Sequence, residues 1–287
     1  IVSADVAGRR AMVRRRIGHA ICVVRRIGGR NSHPELHRVQ ANAHDLANRV
    51  TARNIPRDKH RSRARPLSPP APTGMAVVMT KIGLLGGSFN PAHGGHRAIS
   101  LFAAQALGLD EVWWLVSPGN PLKPAKGMAP LPARLAHAQK IARRAPIRAT
   151  AIERDLGIRY TVDTLRALTR RYPRNRFIWL MGADNLAQLS QWKDWRGIAR
   201  QMPIAVIARP GYDDAARGST AMSWLRRFVL PACQNAGWTN WRPPALVLLR
   251  FRPDPRSATL LRQADPLWHR EYETTRVRDP LTRRLIV

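Results

Sequence analysis

The sequence predicts an α/β protein with a Rossmann-like, doubly wound parallel sheet, and two patterns after residue 79 carry this prediction. Short apolar runs that end at glycine or at a loop alternate with stretches of helical periodicity. The runs are apolar almost throughout, which is typical of strands buried on both faces of a sheet. Strands that alternate with helices favour a parallel sheet that is covered by helices on both sides.

The predicted strands begin with KIGLLGG at Lys81–Gly87. Four further runs repeat its character: EVWWLVSPG at 111–119, RFIWLMG at 176–182, PIAVIARPG at 203–211 and ALVLLRF at 245–251. In a sheet of this kind the ligand lies beyond the carboxyl ends of the strands. We therefore expect the site at the loop that follows KIGLLGG.

Helices are predicted between these strands from apolar residues at three- and four-residue spacing. The first helix has Ile99, Phe102, Ala103 and Ala106 on one face, and Gly108 is its predicted stop. Two further apolar stripes are formed by Leu131, Leu135, Ala138 and Ala142, and by Val162, Leu165 and Leu168. These stripes supply the helices that an α/β sheet requires.

The chain of 287 residues has a formal net charge of +31, and only six of its 49 basic residues are lysine. We interpret this arginine excess as a compositional bias over solvated faces, with a dedicated polyanion-binding surface as the alternative; nucleic acid is not an expected partner. No apolar run approaches the roughly 18 residues of a membrane-spanning helix, so no membrane partner is expected. Cys22 and Cys233 lack the spacing of a disulfide framework or a zinc site, which favours a cytoplasmic location.

Residues 1–78 are predicted to be a basic, disordered extension or the product of a misplaced start, and residues 79–287 to form the folded domain. Residues 1–74 contain 16 basic and four acidic side chains and end in the linker-like RARPLSPPAPTG. The apolar pieces of this part lack regular periodicity. A nucleic-acid-binding arm and an organelle-targeting segment are the alternatives.

The stretch GGSFNPAHGGH at 86–96 has the composition of an anion-binding loop. Gly86 and Gly87 end the first strand, and because they lack Cβ atoms a ligand can approach their backbone. Asn90 and Pro91 are predicted to open a helix, with proline in the first turn, where its missing N–H costs nothing. Unpaired N–H groups and the positive end of the helix dipole then face the crevice.

His93 and His96 are three residues apart and therefore share one face of the predicted first turn. Both imidazoles can donate hydrogen bonds to phosphate oxygens. The alternatives are a metal-binding pair, histidines of the core and simple capping. Because no third metal ligand is close in sequence, no protein metal site is predicted, and in this context we favour contact with phosphate.

This stretch resembles the GxFxPxHxGH signature of the nucleotidyltransferase superfamily, with HGGH at 93–96 as its HxGH part. More closely, residues 81–262 resemble the bacterial nicotinate-nucleotide adenylyltransferases, although Asn90 stands where many members have aspartate. The resemblance is weak at 213–244, where a helix is predicted around 224–230. It is also weak after Arg262, where the family's terminal helix is hard to see.

A second motif, RSATLLR, follows the strand ALVLLRF and resembles an (S/T)xxxR-type element of the same family. Ser257 can cap a helix, while Thr259 and Arg262 are three residues apart, so both can face the same anion. The planar guanidinium of Arg262 can donate hydrogen bonds to two phosphate oxygens at once. Alone, this sequence is an ordinary helix start; together with HxGH it indicates a triphosphate site.

The resemblance implies a site for ATP and a site for nicotinate mononucleotide. Its implied catalytic residues are His93, His96 and Arg262. Its implied ATP-binding residues are Gly86, Gly87, Ser88, Phe89, His93, His96, Lys123, Ser257, Thr259 and Arg262. RYTVDTL and MGADNLAQLSQW are similar to the segments that hold the pyridine nucleotide; the implied substrate-binding residues are Asn90, Tyr160, Thr161, Gly182, Asp184 and Trp192. The alternatives are a solvated loop lysine for Lys123 and packing under a loop for Trp192 and Trp195, with packing favoured for Trp195.

The implied reaction is attack by the phosphate of nicotinate mononucleotide on the α-phosphorus of ATP, with deamido-NAD and pyrophosphate as products. The attacking phosphate is already an anion, so no general base or covalent intermediate is needed, and Mg²⁺ is expected to enter with ATP. The alternatives are another HxGH enzyme, of the pantetheine-phosphate adenylyltransferase or cytidylyltransferase type, and an inactive basic nucleic-acid-binding relative. A homo-oligomer is left open.

Overall fold

The strands of the structure follow the apolar runs of the sequence. The computed structural model describes residues 79–119, 127–208, 213–251 and 257–287, so the predicted N-terminal extension lies outside the described residues. The strands of the main sheet are β1 (Lys81–Gly87), β2 (Glu111–Val116), β3 (Ile147–Thr150), β4 (Arg176–Gly182), β5 (Ile204–Ala208), β6 (Val229–Leu230) and β7 (Leu246–Arg250). All of their pairings are parallel.

The main sheet has the strand order β3-β2-β1-β4-β5-β7-β6, which confirms the predicted Rossmann-like, doubly wound fold. The sequence does not predict β3 or β6, because strands of four and two residues are too short to show a hydrophobic pattern. The helix predicted around 224–230 is partly wrong. The chain there leaves a short helix and ends in β6, since Val229 and Leu230 pair with β7.

The helices agree with the predicted stripes. The α-helices of the described residues are α1 (Gly94–Leu107), α2 (Leu131–Ala142), α3 (Ile152–Asp155), α4 (Thr161–Arg171), α5 (Ala183–Gln188), α6 (Trp195–Gln201), α7 (Asp213–Arg217), α8 (Thr220–Leu225) and α9 (Ala258–Ala264). Gly108 ends α1 in the left-handed conformation, with φ of 59°, as predicted. In the described part of the chain no helix is long and apolar enough to cross a membrane.

Each face of the sheet has its own hydrophobic cluster. Leu84 and Trp113 face one cluster, which is covered by α4, α5 and α6. Leu85 and Trp114 face the other, which is covered by α1 and α2. Because neighbouring residues of one strand are buried on opposite faces, the strands are apolar throughout instead of alternating.

The C-terminal part ends in an antiparallel hairpin of β8 (Val277–Arg278) and β9 (Leu285–Ile286), which no sequence pattern predicts. The fully buried Asp279 fastens this hairpin to the end of β3. Its carboxylate accepts hydrogen bonds from the Thr150 hydroxyl and from the Ala151 N–H, at 2.8 and 2.6 Å. The tail is therefore attached by a polar contact between residues far apart in sequence.

Candidate active site

A cavity of about 620 Å³ lies at the carboxyl ends of β1 and β4, where the strand order reverses. This is the place where open α/β sheets bind their ligands. The predicted site residues that line it are Gly86, Gly87, Ser88, Phe89, Asn90, His93, His96, Tyr160, Thr161, Gly182, Asp184, Trp192, Ser257, Thr259 and Arg262. The one other predicted residue, Lys123, lies outside the described residues.

One side of the cavity, which we call the glycine–histidine wall, consists of residues 86–96 and 257–262. His93 is the N-cap of α1, and its Nδ1 accepts a hydrogen bond from the N–H of Gly95 at 3.1 Å. The Nδ1 of His96 accepts from the N–H of His93 at 3.2 Å, so the two imidazoles form a reciprocal capping box. Because each Nδ1 is an acceptor, each ring carries its proton on Nε2, the nitrogen that can donate to an anion.

The helix begins later than the sequence predicts. Asn90 and Pro91 are predicted to open it, but α1 begins at Gly94, and these two residues form a turn before it. The reason is that the side chains capping α1 belong to the two histidines. The predicted placement of Pro91 in the first helical turn is therefore wrong. The N-terminus of α1 does border the cavity through His93 and His96, but the N–H groups of Gly95 and His96, which were predicted to be unpaired, are hydrogen-bonded to His93.

The side chain of Asn90 is used to hold a neighbouring loop. Its Nδ2 donates to the carbonyl of Gly127 at 2.9 Å, and its Oδ1 accepts from the N–H of Ala129 at 3.3 Å. Asn90 therefore lines the cavity while its amide fixes the loop that precedes α2.

The two glycines at the end of β1 have different neighbours. A Cβ atom on Gly86 would lie 2.5 Å from the ring of Trp179, which is closer than real Cβ contacts. A Cβ atom on Gly87 would lie 3.4 Å from Phe89, which is an ordinary contact. Packing against Trp179 therefore requires glycine at 86, whereas the protein around position 87 has room for a methyl group.

Phe89 supports His96 from inside the protein. Its side chain is only 2% exposed, and its ring centroid lies 4.8 Å from that of His96 and 5.1 Å from that of Trp114. The centroids of His93 and His96 are 4.0 Å apart. The imidazoles are thus held by aromatic packing as well as by their capping hydrogen bonds.

Arg262 joins the second motif to the first. Its Nη1 donates to the carbonyl of Asn90 at 2.5 Å, and its Nη2 donates to the Thr259 hydroxyl at 3.3 Å. Ser257 caps α9, as predicted, by accepting from the N–H of Leu260 at 3.2 Å. The arginine therefore brings a cation to the loop that leads into the histidine helix.

A second part of the lining, which we call the tyrosine–tryptophan wall, consists of Tyr160, Thr161, Trp179, Trp192 and Lys193. Trp192 is half-buried, and Trp179 meets it edge-on, with centroids 6.4 Å apart. The ammonium of Lys193 lies 4.5 Å from the centroid of the Tyr160 ring. This wall is largely aromatic, in contrast to the wall of backbone amides and imidazoles.

The comparisons with known proteins agree with this geometry. The cytidylyltransferase-like family model matches residues 84–264, a range that includes the two histidines, the tyrosine–tryptophan wall and Arg262. The chain belongs to the cytidylyltransferase-like family.

Two bacterial relatives illustrate the likeness. The chain is 63% identical over 206 residues to a protein of Erythrobacter litoralis (strain HTCC2594) named "Probable nicotinate-nucleotide adenylyltransferase", a match that covers 72% of this chain and 94% of the relative. A protein of Parvibaculum lavamentivorans with the same name is 53% identical over 183 residues, covering 64% and 91%.

Among solved structures, the Plasmodium falciparum nicotinic acid mononucleotide adenylyltransferase complexed with NaAD is similar with a TM-score of 0.47 and 15% identity. That match covers 64% of this chain and 83% of the other. The family assignment rests on the family model and on the bacterial relatives.

In this member of the family a buried carboxyl group, Glu153, also lines the cavity, and the sequence analysis missed it. The side chain is 8% exposed and accepts a hydrogen bond from the Thr164 hydroxyl at 2.8 Å. Burial raises the pKa of Glu153 to about 7, and the hydrogen bond from Thr164 opposes that rise. Nothing local in IERD distinguishes it from a solvated glutamate, because its burial depends on the packing of α4 against the sheet.

Two other cavity residues could have been predicted from the sequence. Arg159 and Lys193 both line the cavity, and they lie next to the predicted Tyr160 and Trp192. Each is a basic residue directly beside a predicted substrate contact, and this adjacency is the sequence signal that could have identified them. The packing alternative for Trp195 is confirmed, since this side chain is buried and meets Trp224 edge-on at 5.4 Å.

Proposed function

We propose that this chain is a nicotinate-nucleotide adenylyltransferase, which transfers AMP from ATP to nicotinate mononucleotide and releases pyrophosphate. The observation that carries the proposal is that the HxGH histidines and Arg262 line one cavity together with the tyrosine–tryptophan wall. The names of the bacterial relatives support the same activity.

In the proposed reaction an oxygen of the mononucleotide phosphate attacks the α-phosphorus of ATP. The new P–O bond forms while the bond from the α-phosphorus to the β-phosphate oxygen breaks, and pyrophosphate leaves with the electron pair. The attacking group is an anion, so the protein has no proton to remove. It must instead overcome repulsion between two polyanions and hold the reacting atoms in line, and positioning of this kind can contribute up to about 7–11 kcal/mol.

The glycine–histidine wall provides the donors for the triphosphate. The Nε2–H groups of His93 and His96 and the guanidinium of Arg262 are the donors that we assign to the phosphate oxygens. Ser257 and Thr259 complete this side at the start of α9. Each donor that is aimed at developing charge before the reaction begins is worth about 10²–10³-fold in rate. Lys123 stays a predicted phosphate contact.

Magnesium belongs to the substrate in this proposal. In the parts of the chain that the structure describes, no group of three histidine, cysteine, aspartate or glutamate side chains could hold a metal ion. Mg²⁺ is commonly held by the phosphates of a nucleotide with few protein ligands, and it neutralises part of their charge. We therefore treat MgATP as the substrate.

The tyrosine–tryptophan wall holds the acceptor nucleotide in this proposal. The pyridine ring stacks on Trp192, whose orientation is fixed by its edge-on contact with Trp179. Tyr160 and Thr161 contact the ring substituent at the start of α4, and Gly182 and Asp184 lie on the ribose side at the start of α5. We place the reaction in the cytoplasm; a homo-oligomer stays a prediction.

The test is a pyrophosphate-release assay on the full chain with MgATP, in which nicotinate mononucleotide, nicotinamide mononucleotide and 4′-phosphopantetheine are offered separately. We expect pyrophosphate and deamido-NAD in equal amounts with the nicotinate nucleotide. The dinucleotide is identified by mass spectrometry. A preference for the amide or for phosphopantetheine would overturn the substrate assignment, and no turnover with any acceptor would overturn the enzymatic function.

A further inference from the structure

Arg134, on α2, is a charged side chain that the fold encloses, with only 1% of its surface exposed. Its guanidinium donates hydrogen bonds to four backbone carbonyls. Nη1 contacts the oxygens of Ser88 and Ser117 at 2.7 Å each, Nε contacts Ala129 at 2.8 Å, and Nη2 contacts Pro118 at 3.2 Å. One side chain thus connects the loop after β1 with both ends of the segment that joins β2 to α2.

The guanidinium is stabilised by peptide dipoles. Within the described ranges, the ion pairs between side chains do not include Arg134. Burial lowers the pKa of Arg134 to about 10, so the group is still a cation at neutral pH. A buried cation is tolerated only where hydrogen bonds replace its hydration, and the planar fork of arginine supplies donors in several directions at once.

The carbonyls that Arg134 holds belong to loops that shape the cavity. Ser88 follows β1 and Ser117 follows β2, and both residues line the cavity. Since their carbonyl oxygens point towards a guanidinium inside the protein, they are turned away from the space that we assign to the triphosphate. A carbonyl oxygen that faced a polyanion would repel it, so this orientation favours ATP.

The same network continues to Arg262. Arg134 donates to the carbonyl of Ala129, and the N–H of Ala129 donates to the side-chain oxygen of Asn90. The backbone carbonyl of Asn90 in turn accepts a hydrogen bond from Arg262. The hydrogen bonds described for Arg134 end on Ser88 of the glycine–histidine wall and on Ser117, Pro118 and Ala129 of the segment between β2 and α2. None of these bonds is to a residue of the tyrosine–tryptophan wall.

We propose that Arg134 is a positioning residue for the ATP half of the cavity: it holds the loops after β1 and β2 with their carbonyls turned inward. This inference rests on the proposed function for the identity of the ligand. It predicts that perturbing Arg134 weakens the interaction with ATP and leaves the interaction with the acceptor nucleotide intact.

The test compares the full wild-type chain with Arg134→Lys, which keeps the charge but cannot span four carbonyls from one nitrogen. ATP binding is measured by calorimetry without any acceptor, and the KM values for ATP and for nicotinate mononucleotide are measured separately. Because misplacement by about 1 Å can cost about 10²-fold, we expect the ATP Kd and KM to rise about 10–100-fold. The KM for the mononucleotide is expected to stay within about threefold, since its proposed contacts lie on the other wall.

The matched control is Arg97→Lys. Arg97 also donates to two backbone carbonyls, those of Ile141 and Arg143, and it lies outside the cavity lining. We expect this variant to bind ATP as the wild type does. Equal loss of ATP affinity in the two lysine variants would overturn the proposal, because the effect would then not depend on the loop carbonyls that Arg134 holds.

Three other outcomes also decide the matter. A folded Arg134→Lys with wild-type ATP affinity, or with equal losses for both substrates, overturns the proposal. If the lysine variant does not fold, Arg134→Gln is measured in the same way, and failure of both to fold assigns Arg134 to fold maintenance alone. Because ATP binding is measured without an acceptor, a wild type that binds ATP but ignores nicotinate mononucleotide refutes the proposed function and leaves this test valid.

Discussion

The two walls of the cavity are held in place by different interactions. The glycine–histidine wall is fixed mainly by hydrogen bonds with backbone groups: the capping imidazoles accept from N–H groups, and Asn90 and Arg262 donate to carbonyls. The tyrosine–tryptophan wall is fixed by packing, with Trp179 against Trp192. The first wall can hold donors at fixed positions around developing charge, and the second offers a largely aromatic face. We infer that the first wall determines the rate and the second determines which acceptor binds.

The largest expected effect comes from removing a donor of the first wall. His96→Ala is expected to lower kcat by about 10²–10³-fold, because a donor to the reacting phosphates is lost. Steady-state pyrophosphate release measures the effect, and circular dichroism checks that the variant folds, since loss of the cap costs only about 1 kcal/mol. Turnover reduced less than tenfold in a folded variant would contradict the assignment.

The matched variant on the second wall is Trp192→Ala. It is expected to raise the KM for nicotinate mononucleotide, because stacking on an aromatic ring contributes about 1–3 kcal/mol. The kcat of Trp192→Ala at saturation is expected to stay within about threefold of the wild type. If the tryptophan variant changed kcat and the histidine variant changed only KM, the division of roles between the walls would be wrong.

The next effect concerns Glu153, the buried carboxyl group in the cavity lining. Below its ordinary pKa of 4.5 Glu153 is protonated in both the folded and the unfolded state, and between 4.5 and about 7 only the unfolded state ionises. The free energy of unfolding therefore falls as pH rises through this window, by up to about 3 kcal/mol, and the loss is constant above it.

Glu153→Gln is expected to remove this loss, because its amide oxygen can still accept from Thr164 and cannot ionise. Urea unfolding at pH 5 and pH 8 measures the difference between the two chains. The exposed Glu273→Gln serves as the control. Parallel pH dependences for wild type and Glu153→Gln would show that Glu153 titrates normally.

A smaller effect is expected where the two walls meet, at the glycines that end β1. Gly86→Ala is expected to destabilise the fold by about 1–3 kcal/mol, because the added methyl group overlaps the Trp179 ring. Gly87→Ala, one residue further, is expected to change the free energy of unfolding by no more than about 0.5 kcal/mol. Urea unfolding of both variants checks this contrast, and equal losses would refute the close approach of Trp179 to Gly86.

The smallest effect is expected from the surface charges of Asp163, Arg166 and Asp194. Arg166 of α4 pairs with Asp163 at 3.3 Å and with Asp194 at 2.8 Å, and these side chains are one-third to one-half exposed. Arg166→Ala is expected to lower the free energy of unfolding by less than about 1 kcal/mol, and less still at high salt. A larger loss in thermal unfolding would mean that surface ion pairs, as well as packing, hold this part of the fold.

The sequence by itself predicted the elements whose signals are local. The apolar runs of β1, β2, β4, β5 and β7 and the stripes of α1, α2 and α4 depend on periodicity within one segment, so they could be identified without a partner. The pairing of His93 with His96, the cap at Ser257 and the stop at Gly108 depend on spacings of a few residues along one helix. The sequence therefore determined the fold class and the two motifs.

The tertiary structure alone decided which polar side chains support the cavity. Arg134 reaches Ser88 across 46 residues, and Asp279 reaches Thr150 across 129. Asn90 is engaged by the loop before α2, and Gly86 is required by Trp179 of another strand. Burial, desolvation and hydrogen-bond partners of this kind depend on which distant segments the fold brings together. A local sequence pattern does not indicate which distant segments will pack against a residue. The roles of Arg134 and Glu153 could therefore be recognised only in the folded chain.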